Sequence, residues 1–449
     1  MNTLTSIRRP PAGCFQTLLT GLPKLQASPL PRINALRAEA VNRLDVLSLP
    51  STRDEDWRFT DISELTKLSF SPALNATYLE SADVAHFYIE EATTRLVFVD
   101  GLYAPQLSNS ASNNGMVVSN LQTVLTTHAA VIEAHIGRHV TFNDNVFAAL
   151  NTAFLRDAAV VIVPRNESDA TPIHLLFIAT QKEIVSTPRC LVIAETGSAV
   201  TVIEDYVVLY QPAWHEETPF TEETHFTNAV TEIMLEDNAR VNHIRIQREG
   251  SKAFHIANCV VSLGRASNYQ SVSVALGAQI ARYNLEVLLA EGAECAVDGL
   301  TLIATNQLSD THTCIDHAQP HGVSRQLHKC IIGGSAHAVF NGKIMVRNGA
   351  QRTDSIQSSR NLLLSGKAHV DTKPQLEIFA DDVKCAHGAT IGQLDSEEVF
   401  YLQSRGLSDS VARNLLTYAF GAEIIERIPV ASLKHQLEQT VLEQTSSQL

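Results

Sequence analysis

The 449-residue sequence has no CxxC pair, no run of 18 consecutive apolar residues and no long block of like charge. Its seven cysteines, Cys14, Cys190, Cys259, Cys295, Cys314, Cys330 and Cys385, are odd in number and scattered. Neither a disulfide framework nor a self-contained zinc ribbon fits that pattern, and a reducing compartment does. Without an apolar run of spanning length, the chain reads as soluble, with no membrane as partner. Arg8 and Arg9 form a twin-arginine pair, but PPAGCFQ follows instead of an apolar stretch, so a cytoplasmic protein is expected. The 34 basic and 48 acidic residues leave a net charge of -14, which argues against nucleic acid and towards a protein or small ligand.

The usual catalytic signatures are missing too. There is no GxSxG, no HExxH and no dinucleotide fingerprint, and GGSAHAVFNGK lacks the Gly-Lys-Ser/Thr ending of a phosphate-binding loop. Asp381 and Asp382 are adjacent, so on a strand they point to opposite faces and make no ready acid/base pair.

What is present is a large apolar fraction, 45% of residues, and a change of character along the chain. Residues 1–160 read as mixed and partly helical. PRINALRAEAVNRLDVL carries Ile33, Leu36, Ala40, Val41 and Leu44 near helical spacing, with Pro50 beyond its end. TRLVFVDGLYAP predicts a hairpin about Asp100-Gly101. The segment 120–156 again reads as helical, with Asn143 or Asp144 as a cap before its second half.

Residues 161–392 form a long β region of short apolar runs separated by Gly, Asn and Asp turns, such as CLVIA, VNHIRIQ and YNLEVLLA. Within it an apolar residue is followed four positions later by Ala, with turn formers between: LEDNA at 235, LAEGA at 289, IGGSA at 332, VRNGA at 346 and LSGKA at 364. Such punctuation fits a β-solenoid whose strands turn corners at small residues, and it also fits an antiparallel sandwich. Residues 393–449 switch to helices. Asp395 and Glu398 suggest a capping box for a helix closed by Gly406, and Ser408 caps a second that sets Val411, Leu415 and Tyr418 on one stripe expected to pack this domain. A third, 430–445, is amphipathic through Leu433, Leu437 and Val441.

Two sets of side chains have metal-ligand chemistry. Cys385 and His387, in KCAHGATIG, are two residues apart and share one face of a strand, but two ligands do not close a site. The other reading makes Cys385 a small core residue and His387 a hydrogen-bonded junction residue. The denser set is His312, Cys314, His317, His321, His328 and Cys330, whose spacings match no common zinc pattern and also suit polar faces of stacked coils.

RDEDWRFTDISEL (53–65), VFNGKIMVRNGAQRTDSIQSSRNLLLS (339–365), KPQLEIFADDVKCAHGATIGQLDSEEVFYLQSRGL (373–407) and the following ARNLL resemble the SufB/SufD family of iron–sulfur cluster assembly proteins. HGATIGQLD is similar to the SufD form, SufB typically having Glu where Gly388 stands, and no cysteine here sits in a SufB-like signature. The resemblance implies a right-handed parallel β-helix flanked by an N-terminal α/β region and C-terminal helices. It further implies a non-catalytic subunit of a SufBCD complex, paired with SufB and docking the SufC ATPase through the C-terminal helices around Leu415 and Tyr418. His387 corresponds to the SufD histidine implicated in cluster formation at the SufB interface, with Cys385 its neighbour. A transient iron–sulfur cluster would then be completed in trans by SufB. An open coil edge or exposed strand face seeks a partner, so self-association as a homodimer is the expectation for the chain in isolation. A flavin has been associated with the family's complex, though no sequence fingerprint supports one here. The competing readings are a SufB-like scaffold that accepts sulfur itself, and a β-solenoid enzyme acting on carbohydrate or acyl groups. The latter lacks both a strict hexapeptide repeat and a cleft of Asp, Arg and Lys on successive coils.

Overall fold

From Phe226 to Gly392 the chain runs as strands of 8 to 11 residues that alternate between two sheets, each strand pairing in parallel with the strand two further along. One coil is therefore two strands and two corners. Phe226 lies beside Phe254, then Ile280, Leu308, His337 and His369 on successive coils of one sheet. Arg240, Asn268, Glu294 and Val323 stack likewise in the other. This computed structural model describes residues 17–110, 115–209 and 224–446, so the Arg8–Arg9 pair and Cys14 lie outside the described residues. The architecture is a parallel β-solenoid of about eight turns, which decides between solenoid and sandwich.

All five pentapeptides fall on corners, where Ala239, Ala293, Ala336 and Ala350 are completely buried and Ala368 nearly so. In LEDNA and LAEGA the fourth residue, Asn238 or Gly292, takes the left-handed φ of 60° or 64° that the turn requires. The irregular intervals follow from the coil. The step from 235 to 289 spans two coils, that from 289 to 332 one and a half, and the last two half a coil each. Ser198 and Ser267, both buried, hold the same corner place, which is why a pattern requiring Ala misses them.

The two flanks cover the outward faces of the sheets. Helix Pro31–Leu44 buries Ile33, Leu36, Ala40 and Leu44, as its periodicity predicts, and packs on helix Val146–Ala153, every residue of which is buried. Together they cover Phe226, Val230, Phe254, Ile256 and Ile280 of the eleven-stranded sheet. The cap of the second helix is Asn145, whose side chain accepts from the Phe147 and Ala148 amides, not Asn143 or Asp144. The hairpin forms as expected, with φ of 52° at Asp100 and 81° at Gly101 joining antiparallel strands Thr94–Val99 and Leu102–Tyr103. Thr94–Val99 also pairs in parallel with Ile173–Ala179, so the ten-stranded sheet begins within the N-terminal region.

At the other end, helix Ser396–Ser404 is capped by Asp395 and helix Asp409–Ile425 by Ser408, followed by helix Ala431–Ser446. Ile424, Ile425, Ile428, Leu433, Leu437 and Val441 pack on Leu300, Leu302, Leu327 and Ile331 of the ten-stranded sheet. The expected packing stripe is corrected here: Val411 and Leu415 are exposed, and only Tyr418 reaches this cluster. The helix instead turns Ala412, Thr417, Gly421 and Ile424 inward. Small residues allow the close approach, and a Cβ on Gly421 would already stand 3.3 Å from Ile331 Cδ1. Among the described residues no helix is long and apolar enough to cross a membrane.

Candidate functional site

Strands His369–Ile378 and Val383–Gly392 end the two sheets, and each is paired on one side only. Their outer edges present unpaired backbone groups. In the preceding strand, Ser355, Gln357, Ser359 and Asn361 point into the solenoid and are buried. Cys385 lies beside Ser355 and His387 beside Gln357, so Cys385, His387, Ala389 and Ile391 face the same interior. With no coil beyond them, His387, Ala389 and Ile391 are exposed.

Cys385 is half-buried against Ile344, Val346, Ala350 and Ala380. Its thiol is pushed up, first by burial and then by the Asp354 carboxylate. No described side chain hydrogen-bonds or ion-pairs with His387, and the pair has no third ligand among the described residues. A Cβ on Gly388 would meet nothing within 4 Å, so this chain's own packing does not demand glycine there. Asp381 and Asp382 lie in the bend before the last strand, not on it.

The dense His/Cys set of residues 312–330 does not converge. His312 and Cys314 face outward on the eleven-stranded sheet, with His312 Nε2 3.1 Å from Asp310 Oδ1 and the Cys314 thiol pushed up to about 11 by burial and Glu286. His321 stands exposed on a corner with φ of 64°. His317, His328 and Cys330 point into the solenoid, where burial pushes the Cys330 thiol up to about 12. His317 Nε2 lies 2.9 Å from Ser324 Oγ, and His328 stacks on Phe340 with centroids 4.7 Å apart. These are polar members of stacked coils.

Sequence reasoning missed how polar the interior is. Glu204 lies 3.0 Å from His243 Nε2 and accepts from the Tyr206 hydroxyl at 2.8 Å, all three groups being buried. Glu249 accepts from Thr227 Oγ1 and Gln247 Nε2 and meets His225 and His255. Burial acts to raise the Glu249 carboxyl, yet His255 and His225 beside it hold it well below the usual range. Such groups persist inside only because each is paired.

Burial lowers His317 and His328 to about 4. An unfolded chain titrates these imidazoles near 6.5, so as pH falls the unfolded state takes up protons first. Their contribution to stability is complete above about pH 6.5 and declines between there and about pH 4, where the loss levels off at a total of about 3 kcal/mol for each histidine. Urea unfolding as a function of pH should therefore show a shallower loss in His328→Gln than in the wild type over that window. An unchanged slope would contradict the assignment.

Residues 177–420 match the family model described as SUF system FeS cluster assembly, SufBD core domain, and residues 22–175 match the SufBD protein N-terminal region. An iron-sulfur cluster assembly SufBD family protein of Synechocystis is 43% identical over 409 residues, covering 90% of this chain and 89% of the relative. The iron-sulfur cluster assembly protein SufD of Escherichia coli is 33% identical over 395 residues, 87% of this chain and 88% of its own length. SufD of Bacillus subtilis is 26% identical over 414 residues, 90% and 91% of the two chains. Two flanks folded onto a parallel β-solenoid, a core-domain match across more than half the chain and likeness to SufD proteins over most of their length agree: the chain belongs to the SufB/SufD family of iron–sulfur cluster assembly proteins, and within it is SufD-like.

Proposed function

We propose that this chain is a non-catalytic, cytoplasmic scaffold subunit that pairs with SufB through the open end of its solenoid and contributes His387 to a nascent cluster held between the two. The observation that carries the reading is the uncapped terminal coil, whose inward-facing His387 stands in solvent with no third ligand among the described residues. Solenoids need a cap, because the last coil otherwise leaves apolar groups and strand edges open. Here Ile378, Phe379, Ile391, Phe400 and Tyr401 are exposed around that end. Gly388, where a Cβ would meet nothing within 4 Å among the described residues, leaves room for a partner backbone. Iron and sulfide are cargo in this reading. Sulfide and SufB side chains would complete the iron coordination, and an incompletely ligated cluster is easier to hand on. The exposed Val411 and Leu415, rather than the packed Tyr418 side, would meet SufC.

The test is assembly. Co-expressed with SufB and SufC, the wild type should elute as a complex, and the Ile378→Asp/Ile391→Asp variant, altered at two exposed positions, should remain folded but lose SufB. Alone, the wild type should self-associate through the same surface, and excess SufB should dissolve the homomer. An undiminished SufB complex in the double variant would overturn docking at this end.

A further inference from the structure

The outward face of the last two coils carries a second set of donor groups. His337 and His369 start neighbouring strands and lie side by side in register, and Asp371, two residues past His369, shares their face. His337 Nε2 is 2.8 Å and His369 Nε2 3.2 Å from the same Asp371 Oδ2, and the two rings have centroids 4.9 Å apart. The three ligand atoms lie within 4.8 Å of one another, in the one such group among the described residues. Ala338 and Val370, the neighbours in sequence, are buried in the solenoid, so both imidazoles stand on backbone fixed by the core and by ladder hydrogen bonds.

We propose that His337, His369 and Asp371 bind a divalent first-row transition-metal cation, with the remaining coordination positions open to solvent. Two imidazoles and one carboxylate with open positions suit Fe(II), and Zn(II) accepts the same donors. Metal–ligand bonds near 2.0–2.1 Å place tetrahedral ligands about 3.3 Å apart, close to the separations already present. His337 Nε2 hydrogen-bonds the carboxylate oxygen while His369 Nε2 lies 3.2 Å from it, and a modest outward rotation of the partly buried Asp371 would open the centre between them. Lys373, two residues further along the same face, is ion-paired with Glu55 at 2.9 Å and so does not take up Asp371. His369 is 65% exposed, leaving the solvent side of the site accessible.

The site is separate from His387, which lies on the other sheet and faces inward, so it stands or falls independently of the assembly reading. Full-length, chelator-treated protein would be titrated anaerobically with Co(II), followed by visible absorption, and with Zn(II) by calorimetry. The wild type and His387→Ala are expected to bind one equivalent alike. His369→Ala should lose it, and Asp371→Asn should bind about tenfold or more weakly, with unchanged circular dichroism. No stoichiometric uptake by the wild type would make the triad a hydrogen-bonded surface group only. Equal stoichiometry and affinity in His369→Ala, or loss of the equivalent in His387→Ala, would place the metal elsewhere.

Discussion

Deleting residues 408–449 is expected to unfold the solenoid, not merely to release a partner. The helices that this removes bury Ile424, Ile425, Ile428, Leu433, Leu437 and Val441 against the ten-stranded sheet. At about 1.5–3 kcal/mol for each fully buried side chain, these six are comparable with the whole stability of an ordinary domain. The deletion also strips Lys329 of Glu423, 2.6 Å away, and buried Asp298 of Arg427 at 2.6 Å. Burial already pushes the Asp298 carboxyl up, and without Arg427 its charge would be uncompensated. The truncated chain should aggregate or melt without cooperativity by circular dichroism, and a cooperative transition near the wild-type temperature would refute this. A docking role for these helices therefore needs surface substitutions. Val411→Asp/Leu415→Asp changes two exposed side chains, should keep the wild-type melt, and should abolish SufC binding in calorimetry if that face is the contact.

The same geometry shows what the sequence carries legibly. A corner imposes a local demand for a small side chain and a left-handed backbone, so Ala239, Asn238 and Gly292 mark corners whatever lies around them. Likewise the helix Pro31–Leu44 and the hairpin at Asp100-Gly101 follow from neighbours in sequence. The coil length was not legible, because strands from 254 onward recur at 26 to 32 residues and no side chain must repeat at that interval. His337 and His369 are adjacent only through that register, and their meeting is invisible without it. Inside and outside were blurred as well. Where a flank covers the outward face, a strand such as Arg189–Ala194 is buried on both sides and loses its period-two alternation. The stripe through Leu415 failed for a related reason: three apolar residues at helical spacing do not outweigh a neighbouring face whose Ala412, Thr417 and Gly421 let the backbone approach the sheet.

At the candidate site, the sequence placed Cys385 and His387 on one face of a strand, but only the fold shows how differently they are held. His387 is exposed and has no side-chain hydrogen bond or ion pair among the described residues, so His387→Ala should change stability by no more than about 0.5 kcal/mol and leave assembly with SufB and SufC intact. Its effect should fall on the cargo, since a neutral imidazole is a competent iron ligand and alanine offers none. Complex purified anaerobically should carry severalfold less iron and sulfide, and growth under iron limitation should suffer. Cys385 is the internal comparison. Resting on Ile344, Val346, Ala350 and Ala380 with its thiol pushed up, it is poorly placed to be a thiolate, so Cys385→Ser should lower the melting temperature more than the cluster yield. If Cys385→Ser empties the complex while His387→Ala does not, the thiol is the ligand and the imidazole its support. Wild-type iron and sulfide in both variants would remove this end of the solenoid from cluster assembly, whatever SufB does there.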